Sequence, residues 1–176
     1  MSFIAQRTFN QYQAKGQVGS ISRPSQPFLL DNHGYIAGED LKPGFAVYQK
    51  SDAYYRPDAG HTQAVVGVVH YVPHRVNTPI ADPTGNMEGE IIIPKGNEFE
   101  IITSGHVYVR AGESVAKDDP AAFDPSDNTW KKATKAEYAN PMFFEEDGDP
   151  NEIVSIRIAG MVRTLKDVQQ GSNLLD

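Results

Sequence analysis

Five histidines are the residues best suited to metal or proton chemistry, and their spacing decides what they can do. His70 and His74, in "VVHYVPHRV", come closest to a ligand pair. On a strand, positions four apart share a face but stand roughly 13 Å from each other, too far for one zinc ion. Pro73 disfavours the helix that would bring them together. His33, His61 and His106 are isolated. A cupin-type site needs His-x-His followed by Glu, and no such pair occurs. The acidic runs "KDDPAAFDPSDN" (117–128) and "FEEDGDPNE" (144–152) could offer carboxylate oxygens to a hard cation. Neither has the ligand spacing of a calcium hand, and Asp-Pro, Asp-Gly and Ser-Asp-Asn are turn formers in their own right. Glu145 and Glu146 are adjacent, so on a strand they face opposite ways, which disfavours a paired acid and base. No Gly-x-x-x-x-Gly-Lys-Ser/Thr, Gly-x-Gly-x-x-Gly or Gly-x-Ser-x-Gly occurs, so phosphate cradles and a nucleophile elbow lack their signatures. The expectation is a chain with no catalytic residue, no metal ligand and no cofactor.

Aromatic residues offer a second kind of site. Tyr35, Tyr54, Tyr55, Tyr71 and Trp130 could form a platform on which sugars stack. The alternative is packing, since Tyr and Trp bury a large apolar area while keeping one polar atom bonded.

The elements that must carry these residues are strands. Gly (15) and Pro (12) are scattered so evenly over 176 residues that few stretches can hold a helix of ordinary length. "GFAVYQK" (44–50), "AVVGVVHY" (64–71), "EIIIP" (90–94), "EFEIIT" (98–103), "HVYVR" (106–110) and "EIVSIRIAGMVR" (152–163) are β-branched and aromatic runs bounded by turn formers. In the last run Val154, Ile156 and Ile158 point one way and Ser155, Arg157 and Ala159 the other. Helix signals are confined to a capping box at Thr134–Glu137, stopped by Asn140-Pro141, and to residues 161–170. The fold class expected is mainly β: an antiparallel β-sandwich, or a jelly-roll or barrel body, with an extended N-terminal arm and at most one or two short helices. An internal echo supports it. "GEDLKPGFAVY" (38–48) and "GESVAKDDPAAF" (112–123) both read Gly-Glu-polar-aliphatic, a turn, then a short apolar strand. Two copies do not make a solenoid, but they predict similar corners.

Charge separates the chain into two parts. Arg7, Lys15 and Arg23 give residues 1–30 a charge of +3 with no acidic residue, so the net −7 leaves −10 on the remainder. An acidic body argues against generic nucleic-acid binding. No run approaches the ~20 apolar residues that span a bilayer, and no basic-then-apolar leader follows Met1, so a soluble, unexported protein is expected. Without cysteine there is no disulfide and no thiolate chemistry. Residues 1–27 are expected to form the arm and 28–176 one β-rich domain. Fully extended, the arm reaches about 90 Å. Ordering it costs about 1–2 kcal/mol per residue, while each apolar anchor returns about 1.5–3 kcal/mol on burial. It is therefore expected to order only where something supplies a groove.

The arm "FNQYQAKGQVGSISRP", followed by "GYIAGEDLKPGFAVY", "AVVGVVHY" and "SGHVYVRAGESVAKDDPAAFDPSDNTW", resembles the structural cement or decoration proteins of tailed bacteriophages. In that family an arm with a Gly-rich bend precedes Gly-bounded strands. One strand returns to Gly-Val-Val, and a later Gly-x-Val-x-Val unit leads to a Trp or Phe near a polar turn. Here those positions are Gly67-Val68-Val69, Gly105-His106-Val107-Tyr108-Val109 and Trp130, and the resemblance covers about residues 9–135. It implies a non-enzymatic virion protein on the outer capsid surface, made in the bacterial host cytoplasm. Such a protein cements neighbouring capsomers against internal DNA pressure. The partners implied are the major capsid protein and the chain itself, as a homodimer by preference or a trimer, with neither nucleic acid nor membrane. On this reading Phe3, Arg7, Phe9, Tyr12, Lys15 and Arg23 make the shell contact. The alternatives are a carbohydrate-binding, host-facing module of a phage particle, or a small cupin-like enzyme.

Overall fold

A computed structural model describes residues 16–58, 65–72, 91–133 and 142–159, with only the backbone of 31–33. Nine strands follow in chain order: β1 (Leu29–Ile36), β2 (Ala46–Lys50), β3 (Ala53–Tyr55), β4 (Gly67–Val69), β5 (Glu98–Arg110), β6 (Ala121–Asp124), β7 (Thr129–Lys132), β8 (Met142–Phe144) and β9 (Ile153–Ile158). Seven of them form one sheet running β3-β2-β4-β5-β9-β8, with β1 also on β5, and β6–β7 form a separate hairpin. Every pair of named strands is antiparallel. The fold is mainly β, as the alternation predicts, and no helix occurs among the described residues. The two stretches with helix signals lie outside them.

The runs 98–103 and 106–110, separate in sequence, are one strand. Ser104-Gly105 reads as a turn, yet Gly105 (φ 118°) carries the chain through as a kink. A Cβ there would press on Phe28, so the position needs glycine for space as well as for φ. β5 is the spine of the molecule. Its first half pairs with β1 and β4. In its second half, Val107 faces Ile156 of β9 on one edge and Ile21 on the other.

The echo read in the sequence is a structural duplication. Gly38 N donates to Tyr54 O and Gly112 N to Trp130 O; Leu41 exchanges both backbone bonds with Ile93, and Val115 does so with Gly148. Gly44 N donates to Val69 O and Asp118 N to Phe144 O, while His70 N donates to Glu100 O and Glu145 N to Ser155 O. Even the corner glutamates match: Glu39 Oε1 accepts from Arg56 N, and Glu113 Oε1 from Lys132 N, both at 2.8 Å. Gly44 and Asp118 share a positive φ (83° and 67°), as do Gly96 and Asn151 (85° and 69°). Each half is therefore a strand, a Gly-Glu corner, a hairpin, a short strand and a closing strand. The first half closes on the start of β5, and the second half opens on the end of the same strand.

One contiguous core joins the halves. Ile101, Ile102, Val107 and Val109 of β5 are fully buried, as are Val68, Val69, Phe144, Val154 and Ile156. At about 1.5–3 kcal/mol per buried aliphatic or aromatic side chain, this layer supplies most of the drive to fold. The hairpin β6–β7 caps the seam: Phe123 packs on Phe45 with ring centroids 5.4 Å apart, and Trp130 Nε1 donates to Gly44 O at 2.8 Å. Around them Ala46, Val65, Ala121, Ala122 and Met142 leave a space of only about 10 Å³, about the least that admits a water.

Candidate functional site

The leading segment meets the body at a turn. Ser20 N donates to Gln17 O at 2.9 Å, and Gly19 has φ 84°, the third position of a type II turn. This turn plugs the corner of the first half. A Cβ at Gly19 would collide with Pro43, Gly44 N and Val69 O, so the glycine fits where no side chain could, and its carbonyl accepts from Tyr71 N at 2.9 Å. The chain then runs along β5: Gly19 N donates to Tyr108 O, Tyr108 N to Ser20 O and Ser22 N to His106 O. Residues 16–23 are thus bonded to the body, and the groove expected from a partner is supplied for this stretch by the chain itself.

A polar knot ends the contact. Ser22 Oγ and Ser155 Oγ lie 2.6 Å apart, and Ser155 Oγ donates to Glu145 Oε2 at 2.7 Å. The same carboxylate oxygen lies 2.8 Å from His106 Nδ1 and 3.6 Å from Arg23 Nε. The buried His106 Nδ1 has no aligned hydrogen bond, although it lies close to the Glu145 carboxylate. Burial pushes the Glu145 carboxyl up. The Ser155 hydroxyl, the His106 ring and Arg23 outweigh this and hold it below its ordinary value. Serine, histidine and glutamate stand together here, but not as a relay. Serine and histidine both approach Glu145, and among the described contacts none joins the hydroxyl to the ring, so the serine–histidine bond of a triad is not formed here. The knot ties the leading segment to β5, β9 and the end of β8. Its counterpart in the first half is His70 Nδ1 and Glu100 Oε2, 3.0 Å apart.

Beside the knot lies a cavity of about 290 Å³ lined by Arg23, Lys117, Asp118, Phe143, Phe144, Glu145 and Arg157. Arg157 holds its guanidinium 5.7 Å from the centre of the Phe143 ring. On another part of the surface, Phe28, Leu29 and Leu30 form an exposed apolar run leading into β1, with Leu29 64% exposed.

The residues singled out in the sequence fall as follows. Of the six proposed for contact, Arg23 lines the cavity and reaches Glu145, while Phe3, Arg7, Phe9, Tyr12 and Lys15 lie outside the described residues. His70 and His106 pair with glutamates; His61, His74 and the side chain of His33 lie outside. Two members of the aromatic platform are core residues: Tyr54 is 6% and Trp130 2% exposed, so neither ring can stack on a sugar. The acidic turns use their oxygens locally. Asp124 accepts from Ser126 and Lys131, Asp127 from Thr129, and Asp119 from Ala116 N. The Asp124 carboxyl is held down at about 2, first by Lys131 and then by Ser126. Lys117 and Arg157 escaped the sequence reading because their meeting depends on how β8 and β9 pair with the second corner.

A family model described as structural cement protein (E217 gp24/Pam3 gp6) matches residues 5–159. The match starts inside the leading segment and runs to the end of β9, so it takes in both halves of the duplication, including the final strand that the sequence resemblance left out. No curated protein matches.

Proposed function

The chain belongs to the structural cement protein family of bacteriophages, and from that premise we propose that it binds the outer surface of an assembled capsid and cements neighbouring capsomers, without turnover. A structural, capsid-associated role in the virion follows from the family. The finer reading is supported by one observation above others: His70, His106 and Ser155, the described side chains nearest to a reactive grouping, are engaged with glutamates inside the fold, while the surface carries an exposed apolar run and a cavity flanked by cations. The major capsid protein is the partner, and Phe3, Arg7, Phe9, Tyr12, Lys15 and Arg23 contribute the contact. Gly19, Ser20 and Ser22 are hydrogen-bonded to the body, so residues 1–15 would leave from a fixed point. A duplicated body with one shared spine gives a stiff platform. The exposed run Phe28–Leu30 supports self-association, a homodimer by preference or a trimer, since a two-fold contact buries the same patch twice. Copies joined in this way engage a repeating lattice together, so weak single contacts multiply.

The test is co-sedimentation with capsids assembled without this protein. Full-length chain should pellet with them at saturating copy number. Deletion of residues 1–15 should abolish binding while leaving the thermal transition of the body unchanged. Full-length protein that stays in the supernatant, or a deletion that binds equally well, would refute the reading.

A further inference from the structure

The duplication carries a second binding site, on the premise of the shell-binding reading above. In the first half, the groove between the corner and β4 is filled by the molecule itself. A Cβ at Gly19 would stand 2.7 Å from Pro43 Cβ, 2.8 Å from Gly44 N and 2.9 Å from Val69 O. In the second half, the counterparts of Pro43, Gly44 and Val69 are Lys117, Asp118 and Phe144, fixed by the matching bonds Gly44 N to Val69 O and Asp118 N to Phe144 O. All three line the cavity of about 290 Å³. Among the described residues, the same architectural position is therefore plugged in one half and open in the other.

Its chemistry has also changed. Pro43, Val68 and Ile102 of the first half correspond to Lys117, Phe143 and Arg157 of the second, as the pairings Val68 with Ile102 and Phe143 with Arg157 show. Lys117 and Arg157 are exposed, and neither is ion-paired among the described residues. Two acids share the cavity wall: Glu145 is engaged by Ser155, His106 and Arg23, and Asp118 is exposed, so the three cations Arg23, Lys117 and Arg157 outnumber the carboxylates. Among the described residues, two cations without an ion pair, one of them Arg157 over the Phe143 ring, thus flank an aromatic floor on a chain whose net charge is −7.

We propose that this cavity is the docking site for an acidic surface loop of the shell protein, seated where the turn Gln17–Ser20 sits in the first half. The loop's carboxylates meet Lys117 and Arg157, whose guanidinium can take a carboxylate through two parallel bonds. A Cβ at Gly44 would meet the Val18 side chain, and its counterpart Asp118 carries a side chain, so the two grooves accept different sequences.

Three proteins distinguish the outcomes on capsids assembled without this protein: the parent chain, Lys117→Glu/Arg157→Glu, and Lys50→Glu/Lys95→Glu, which alters net charge equally at exposed sites elsewhere. The cavity variant is expected to bind about tenfold or more weakly than the control variant, and the parent's affinity to fall with added salt. Equal binding by the two variants, whether both strong or both weakened, overturns the docking site while leaving the shell-binding reading in place. Failure of the parent to bind defeats that reading itself. Circular dichroism of each variant verifies that the body is folded.

Discussion

Replacing Trp130 by phenylalanine probes what holds the two halves together. Trp130 is 2% exposed, lies edge-on to Phe123 at 5.6 Å, and donates from Nε1 to the carbonyl of Gly44, the corner residue of the other half. Phenylalanine keeps a ring in the slot and removes the donor. A buried acceptor deprived of its partner costs about 1–3 kcal/mol. The space left by the missing five-membered ring adds about 1 kcal/mol, because the surrounding Ala46, Ala121, Ala122 and Met142 already pack closely. The expected loss is about 2–4 kcal/mol in all, a large part of the 5–15 kcal/mol by which a domain is ordinarily stable. Alanine would cost about 5 kcal/mol or more and risks a chain that never folds. Urea unfolding should be followed by far-ultraviolet circular dichroism, since this is the sole tryptophan. At about 2 kcal/mol per molar urea, the midpoint should fall by about 1–2 M. A fall of less than about 0.3 M would show that the indole–Gly44 bond does not join the halves and that hairpin β6–β7 is held by its own packing.

Gly67→Ala would drive a Cβ into the carbonyl oxygen of Ile102 and force β4 from β5; a loss of about 1–3 kcal/mol in thermal unfolding is expected. Gly44→Ala meets both a φ of 83° and the Val18 side chain. It should cost about 1–2 kcal/mol and free the leading turn, read as faster hydrogen exchange at the Gly19 and Ser22 amides, which donate to Tyr108 O and His106 O. Glu145 gives a pH dependence with a definite sign. Because its folded value is depressed, its contribution is complete above the ordinary glutamate value near ~4.3 and is lost as pH falls through the lower folded value. Melting temperature should therefore fall more steeply on acidification below about pH 4.5 in the parent than in Glu145→Gln; parallel curves would show that the knot contributes nothing.

Much of the body was legible because strands announce themselves by period. The alternation in Val154, Ile156 and Ile158 and the continuous Gly67-Val68-Val69 run both mark strands, although on the other face of the last one only Arg157 and Ala159 are exposed, Ser155 being buried in the polar knot. The two Gly-Glu corners were readable as an echo because a left-handed corner position and a glutamate capping a backbone N–H constrain residue type locally. β1 was not legible: "LLDNHGYI" reads as a turn, and it pairs only because β5 presents an edge to it, with an irregularity between Asp31 and Tyr35.

By itself, then, the sequence determined the class of fold, the repeated corner, the charge-segregated arm and the absence of recognisable reaction motifs, since each is written in neighbouring residues. Only the tertiary structure decided that two short runs are one spine, that Gly19 fills the first groove, and that Lys117 and Arg157 face an open second one. Those relations join positions distant in the chain through strand pairing, and pairing is selected by the energy of the whole sheet rather than by any local stretch.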